Sequence, residues 1–560
     1  MIRLTILIFV FSYINATENS LLCKACISMQ EKLLQATQLF GDNTPAVLQK
    51  ICDLRGKGYF CRYFYKFYIT KLLRDRSSYI KDNNLFCSHV LSVCPKKTHE
   101  YDFDGFYDRL FKDYPKQENK VKSKPEQPDF NILVINDAHL QIDYKYKSNA
   151  NCGDGGGCCS DFFPGPKHKE DEAGYWGSPG RNCDPPLYFY DRTLEYIKDN
   201  VERPDLIFVL GDNMSHNAFR TDLKYTAESN AYVLLNLKGN FTNSEIVPVL
   251  GNHDCGMLDN MDLANQNDYV YTDIYPLFGK LIGKEKVDDL THDGYFTKEY
   301  DRLNLKVISI NTQLGDYFNT YLLRNSTNPL NFFDKLAGEV YESEKKGQRV
   351  ILITHIPIQD STYSGFERNM NSIILRFKET ISGFFSAHTH FDHLKFIKDR
   401  EGKYVHINYI SPSLTTQDVF NPSFRVYKFK DQTLDDYDQY RFNIVKYNKK
   451  AENKDYSFSF DRVYSLKTEY GVDKLETVDE IEGFRKSLQE DEEIRKKFIL
   501  NYLTRYEFDD WKHFKHTALC SIYDNTKDFI KCQNKHLSYT TEEFLYMLYE
   551  KLFSGSWYEK

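Results

Sequence analysis

Five short stretches carry side chains able to hold a divalent cation: Asp137-Ala138-His139, Gly211-Asp212-Asn213, Gly251-Asn252-His253-Asp254, Thr354-His355 and His388-Thr389-His390. Singly each is a weak signal, because a D-x-H or an H-x-H also arises as a surface pair. Their context carries more. Each directly follows an apolar, β-prone run, at residues 132–135, 206–210, 246–250, 350–353 and 381–385, and such runs read as buried strands. Five strand ends would then deliver ligands to one edge. The chemistry such a set serves is in-line hydrolysis of a phosphodiester, in which one cation activates water and a second, roughly 3.5–4 Å away, holds the leaving oxygen. Asp212, alone between Gly211 and Asn213, is the candidate bridging carboxylate, and the glycine allows a sharp turn beside the cations. Four imidazoles, two aspartates and one amide oxygen form a mixed N/O set that suits zinc, while manganese or iron would also fit.

The elements that must position these ligands read as an α/β catalytic domain over residues 130–447, in which strands alternate with helical stretches such as 186–200 and 218–237. A chain of 560 residues can bury more than one core. Residues 1–16 read as a secretory signal, with Arg3 ahead of an apolar run at 4–11 and Ala16 as a small residue for cleavage; the rival reading is a short membrane anchor. No later segment is apolar and long enough to span a bilayer. Thirteen cysteines behind such a signal imply an oxidising compartment and a disulfide framework. Residues 99–129 read as a proline-containing linker without helical or strand period, expected to connect and not to pack. Residues 448–560 are helical in pattern, for example 478–488 and 492–506, and should pack on the catalytic domain. The glycine run at 153–157 lacks the strand, helix and lysine of a nucleotide loop.

Charge is segregated. Residues 21–98 hold 13 Lys and Arg against 5 Asp and Glu, while the whole chain carries −7. A basic face of this kind beside aromatic helical faces, at 21–40 and 60–80, suits an anionic membrane surface at about 1 kcal/mol per basic side chain; a solvated surface is the bland alternative. An acidic chain with a secretory signal argues against a nucleic-acid polymer as partner. Six cysteines, Cys23, Cys26, Cys52, Cys61, Cys87 and Cys94, fall in this region. Spacing alone allows fifteen connectivities, and a zinc site at Cys23-x-x-Cys26 is the rival use.

The blocks together resemble the calcineurin-like metallophosphoesterase superfamily, and within it acid sphingomyelinase and its phosphodiesterase relatives. His216 stands four residues after Asp212, and the tyrosine ligand that purple acid phosphatases carry near this point is absent. The stretch Ser411-Pro412-Ser413-Leu414-Thr415-Thr416, then Asn421-Pro422-Ser423-Phe424-Arg425-Val426-Tyr427, is similar to the family's segment after its last metal ligands. The cysteine pattern at 21–98 resembles an all-α saposin domain. The resemblance implies a four-layer metallophosphoesterase β-sandwich flanked by helices, with two zinc ions per chain. One would be held by Asp137, His139, Asp212 and His390, the other by Asp212, Asn252, His355 and His388. His253 and His216 would lie beside the phosphate, as proton donors or as orienting groups. Implied disulfides are Cys23–Cys94, Cys26–Cys87, Cys52–Cys61, Cys152–Cys158 and Cys159–Cys183. Cys520 and Cys532 are expected to pair, which leaves Cys255 as a free thiol near the ligands or an inert buried one. The implied function is a sphingomyelin phosphodiesterase releasing ceramide and phosphocholine, secreted or in a lysosomal or vacuolar lumen. Alternatives are hydrolysis of nucleotides or CDP-choline, or a saposin-type lipid-binding protein with a decayed catalytic domain. Asn240 and Asn325 head glycosylation sequons expected in surface loops; the sequon at Asn213 would place a glycan at the metal site. His292, His393 and His406 are read as structural.

Overall fold

The computed structural model describes residues 23–28, 31–32, 103–117, 532 and, apart from 153–156, 220–221, 257, 317, 320, 323–327, 359–360, 418 and 507–513, residues 127–522. Two six-stranded mixed sheets form its centre. In the first, β1 (Phe130–Ile135), β2 (Leu206–Val209) and β3 (Glu245–Pro248) run parallel. Three antiparallel neighbours, β10 (Ser423–Lys430), β11 (Thr433–Arg441) and β12 (Asp461–Ser465), extend it on the β1 side. In the second, β5 (Leu305–Ile310), β6 (Arg349–Thr354), β7 (Ile381–Ser386) and β9 (Tyr404–Ile410) are parallel. They are flanked by antiparallel β4 (Tyr295–Tyr300) and β8 (His393–Lys398).

The period-2 alternation of strand side chains explains the layering. Val307, Ile351, Ile353 and Phe385 point into the core shared by the two sheets. Their neighbours Ile308, Ile310, Val350, Leu352 and Phe384 point outward, under helices Phe332–Lys346 and Ser364–Arg376. Phe385 joins the sheets, its ring centroid 4.4 Å from Tyr427 and 6.3 Å from both Phe208 and Phe429. Helices Leu187–Asn200 and Leu223–Asn240 cover the first sheet with Phe189, Leu194, Val233 and Leu237. The result is helix, sheet, sheet, helix, the expected four layers. Because both faces of the central strands are covered, they are apolar throughout, as Ile132 to Ile135 illustrate with 1% exposure or less.

Two segments depart from the sequence reading. Residues 99–129 contain a helix, Phe103–Asp113. Phe106 and Leu110, four apart on one face, are buried, and Phe106 meets Phe333 edge-on at 5.9 Å. Arg376 Nε then donates to the carbonyl of Tyr114 at 2.6 Å. One apolar stripe of two residues among charges is too short to stand out as a period, yet it suffices to dock. Within 448–560, read as helical, β12 joins the first sheet, where Arg462 pairs with Asp438 at 2.6 Å and Tyr464 turns inward. Its alternating pattern is only five residues long.

The cysteine-rich insertion is closed by Cys152–Cys158 and Cys159–Cys183, and Cys520 bonds Cys532. Cys23 and Cys26 are buried and disulfide-bonded, while Cys52, Cys61, Cys87 and Cys94 lie outside the described residues, as does Asn325. Asn240 is not in a loop. It ends a helix, half-buried, and its amide donates to the carbonyl of Asn236 at 2.9 Å. Among the described residues no helix is long and apolar enough to cross a membrane.

Candidate metal centre

All five ligand blocks sit at carboxyl ends of parallel strands, after β1, β2, β3, β6 and β7, and backbone bonds lace them together. Asp137 N–H donates to Gly211 O and His139 N–H to Asp212 O, both at 3.0 Å, and Ala387 N–H donates to His355 O at 2.9 Å. Asp137, His139, Asp212, His388 and His390 all have positive φ, between 42° and 73°. This left-handed backbone turns each chain sharply off its strand and brings side chains two residues apart, Asp137 with His139 and His388 with His390, toward one cluster. At Gly211 φ is +94°, and a Cβ on Gly251 would collide with the amide and carboxylate of Asp212, so these two glycines are required by close approach.

The seven expected ligands converge. Asp212 Oδ2 is 3.5 Å from His139 Nε2 and 3.2 Å from His355 Nε2, the position a bridging oxygen needs. His390 Nε2 lies 3.1 Å from His139 Nε2 and 3.8 Å from Asp137 Oδ1. On the other side, Asn252 Oδ1 is 2.8 Å from His355 Nε2 and 2.9 Å from His388 Nδ1. Tautomers follow from the outer partners. His139 Nδ1 donates to Met214 O at 2.8 Å and His355 Nδ1 to Leu210 O at 2.7 Å, so in the neutral rings both Nε2 lone pairs face inward. Asn252 Nδ2 donates to Asp259 at 2.7 Å, which turns its oxygen toward the cluster. Lone pairs packed at these separations suit a cation between them, and the donor set fits two divalent ions.

Electrostatics agree. Burial pushes the Asp212 carboxyl up, but the His355 and His253 rings beside it outweigh burial and hold it well below the usual carboxylate range. Burial would lower His355, but Asp212 and Asp137 raise it to about 9. A proton and a cation would therefore compete for the same nitrogen of His355. Burial, then the neighbouring His216, drives His139 well below its ordinary value, and burial with His355 does the same for His388.

His216 and His253 stand over the Asp137–His139–His390 side. His216 stacks on His139 with centroids 3.8 Å apart and lies 4.7 Å from His253, and the three rings group closely enough to share a ligand. Asp184, 1% exposed, accepts from the His216 backbone N–H at 2.6 Å, from its Nδ1 at 2.8 Å, and from Thr415 Oγ1 at 2.8 Å. His253 donates its backbone N–H to Asp212 Oδ1 at 2.8 Å, and its buried Nδ1 has no hydrogen-bond partner among the described residues. Burial holds the His253 ring down to about 3, against the pull of Asp212.

The residues that build the centre without touching it were given no role in the sequence reading. Asp184 is one. Asp254 is another: its carboxylate accepts from the backbone N–H groups of Gly251, Asp212, Asn213 and Met214 and from Asn230 Nδ2, at 2.9–3.3 Å, and burial followed by Asp212 pushes it up to about 6. Its place after Asn252-His253 was the only signal. Asn213 is 1% exposed and its amide donates to Asn230 at 3.0 Å, which leaves no room for a glycan. Cys255 is a buried free thiol, pushed up by burial, and His393 is buried with Nε2 against Thr389 Oγ1 at 2.8 Å.

Residues 130–392 match the family model for calcineurin-like phosphoesterases. Sphingomyelin phosphodiesterase 1 of Caenorhabditis elegans is 30% identical over 378 residues, covering 64% of each chain. Sphingomyelin phosphodiesterase A of Dictyostelium discoideum is 28% identical, covering 65% of this chain and 61% of its own. Cyclic GMP-AMP phosphodiesterase SMPDL3A of Rattus norvegicus is 26% identical, covering 52% of this chain and 68% of its own. The chain thus spans a little under two thirds of the length of the two sphingomyelin phosphodiesterases.

Proposed function

We propose that this chain, which carries a calcineurin-like phosphoesterase domain at residues 130–392, is a phosphoric diester hydrolase that splits sphingomyelin into ceramide and phosphocholine. The observation that carries the reading is the place of Asp212, whose one carboxylate oxygen lies within 3.5 Å of imidazole nitrogens from both ligand groups. Asp137, His139 and His390 would hold one divalent cation with Asp212, and Asn252, His355 and His388 the other. Zinc suits this set best. Such a pair supplies Lewis acidity to the phosphoryl oxygens and lowers the pKa of water.

The chain's own groups do the rest. Asp184 accepts from His216 Nδ1 and so favours the imidazolium, whose Nε2 also carries a proton and can pass it to the departing oxygen of ceramide. His253, kept neutral by burial, offers a second nitrogen at the same phosphate. The choice of a lipid substrate is supported by the names of the relatives and by the basic, cysteine-rich region at 21–98, which would act as a saposin domain on an anionic membrane in a secreted or lysosomal setting. A second reading, hydrolysis of soluble nucleotide diesters or CDP-choline, is favoured by the likeness to the cyclic GMP-AMP phosphodiesterase.

The test is turnover of sphingomyelin in anionic liposomes against a soluble nucleotide diester and CDP-choline, with wild type and His253→Ala. Lipid turnover that falls at least about 10²-fold in the variant supports the reading. Turnover of the soluble diesters alone moves the function to the second. Deleting residues 21–98 should impair liposome hydrolysis far more than hydrolysis of a soluble substrate, and equal losses would sink the lipid role of that region.

A further inference from the structure

The loop that carries His388 and His390 is held from behind by a segment more than a hundred residues away. Asp392 N–H donates to the carbonyl of Tyr502 at 3.2 Å, and the ring of Phe391 lies flat on that of Tyr502, centroids 4.5 Å apart and planes within 6°. Two residues on, Thr504 Oγ1 accepts from Asn421 N–H at 2.6 Å and donates to Asn421 O at 2.8 Å, and Asn421 Nδ2 donates to Thr504 O at 3.1 Å. This reciprocal clasp fixes the stretch that returns to the ligands: Ser423 N–H donates to Ser413 O at 2.8 Å, and Ser413 N–H to His390 O at 3.0 Å. Phe420, next to Asn421, meets the His390 ring at 6.0 Å.

The clasp has a conformational cost that calls for a purpose. Thr504 has φ +47° and Arg505 φ +54°. For a β-branched residue the left-handed region is an outlier, costing on the order of 1–3 kcal/mol unless its surroundings impose it. The surroundings here do: Arg441 Nη1 donates to Arg505 O at 2.6 Å, and Arg505 reaches Glu469 at 2.6 Å and Asn501 at 2.8 Å. At the other end, His388 and His390 are themselves left-handed at φ +73° and +66°. A strained ligand turn keeps its geometry only when anchored, and the anchors of this one, Phe391, Asp392 and Asn421, all converge on residues 502–504.

We propose that Tyr502 and Thr504, at and just past the end of helix Glu492–Tyr502, are positioning residues for the cation centre, setting His388 and His390 so that cation affinity depends on this distant segment. The proposal rests on the two-cation reading above and is tested by binding, not turnover. Full-length Thr504→Val, which keeps the shape and loses the hydroxyl, and Tyr502→Leu, which loses the stack, should each weaken Zn2+ about tenfold in a chelator competition. Thr504→Ser, which keeps the hydroxyl, should restore wild-type affinity within about twofold. Leu488→Ala serves as control, since it opens a cavity under helix Val478–Glu490 without altering residues 502–504, and should leave affinity unchanged. Wild-type affinity in Thr504→Val and Tyr502→Leu, or an equal loss in Leu488→Ala, would overturn the assignment. A wild-type chain that binds no Zn2+ would instead refute the two-cation reading, so the two failures are distinguishable.

Discussion

Replacing Asp184 by Asn separates proton donation by His216 from mere orientation of that ring. The Asp184 carboxylate is 1% exposed and accepts three hydrogen bonds, two of them from His216. Asparagine has nearly the same shape but turns one acceptor oxygen into an amide donor, so at least one His216 bond becomes a donor facing a donor. Hydrogen bonds to a charged group are worth about 1.5–3 kcal/mol each. The sharper effect is electrostatic, because a carboxylate at 2.8 Å from Nδ1 stabilises the imidazolium, and that stabilisation vanishes with the charge. General acid catalysis is worth roughly 10²–10⁴-fold, equivalent to about 2.7–5.4 kcal/mol of barrier.

Asp184→Asn should therefore lower kcat on sphingomyelin, whose leaving alkoxide needs a proton, by about 10²-fold or more. On a bis(p-nitrophenyl) phosphate substrate, whose leaving group departs as a stable anion, the loss should stay under about tenfold. The assay is steady-state turnover on both substrates, with cation content measured on the same preparations, because His216 also stacks on His139. Equal losses on the two substrates with full cation content would refute proton donation and leave Asp184 as an orienting group. A fall in cation content would show instead that the dyad supports His139.

Three further outcomes follow from the same geometry. Asp212 and Asp137 raise the His355 pKa to about 9, so at pH 7 a binding cation would have to displace a proton from this ring. Titrating the chelated protein with Zn2+ in a weakly buffered solution should release about one proton from this ring, and affinity should drop up to about tenfold per unit as pH falls below 9; pH-independent affinity would contradict this. Asp254→Asn turns into an amide donor one of the two oxygens on which four backbone N–H groups and Asn230 converge, and should cost about 3 kcal/mol or more in denaturant unfolding together with loss of bound cation; a change below about 1 kcal/mol would show that the loop holds itself. Phe106→Asp should undock helix Phe103–Asp113, which buries Phe106 and Leu110, and slow liposome hydrolysis while a soluble substrate is turned over within about twofold of wild type, since this helix joins 21–98 to the catalytic domain; unchanged liposome activity would mean that docking is irrelevant to lipid access.

Strand-end ligands are the legible part of this molecule because their signal is local. An apolar run fully buried on both faces, as at Leu206 to Val209, is written into consecutive residues, and a Gly-Asp-Asn or His-Thr-His after it stands out. The helices Leu187–Asn200 and Val478–Glu490 follow from the helical period, whereas the four layers came only with the family resemblance. The docked helix at 103–113 and the strand at 461–465 are not legible, since each offers only two or three inward side chains and owes its place to a partner surface. Asp184 and Asp254 fail for a different reason. Their partners lie 32 and 231 residues away for Asp184 and 40 to 42 for the Asp254 bonds to the 212–214 turn, and a carboxylate whose work is to collect backbone N–H groups leaves no pattern in side-chain types.

The ligand identities and the backbone strain turn out to be one constraint. Asp137, His139, Asp212, His388 and His390 are left-handed, and at roughly 1–3 kcal/mol each their summed cost approaches the whole stability of an ordinary domain, about 5–15 kcal/mol. Aspartate and histidine are among the few side chains that tolerate this region, so the residues that bind cations are also those that can make the turn. The remaining strain is offset by a polar shell: Asp254 under the 212–214 turn, Asp184 beneath His216, and Arg425 on Asp392 at 2.5 Å. Removing Asp254 or Asp392 should therefore release a turn before it unfolds the sheets, and the measurable sign is lost cation affinity in a protein whose sheet content is intact.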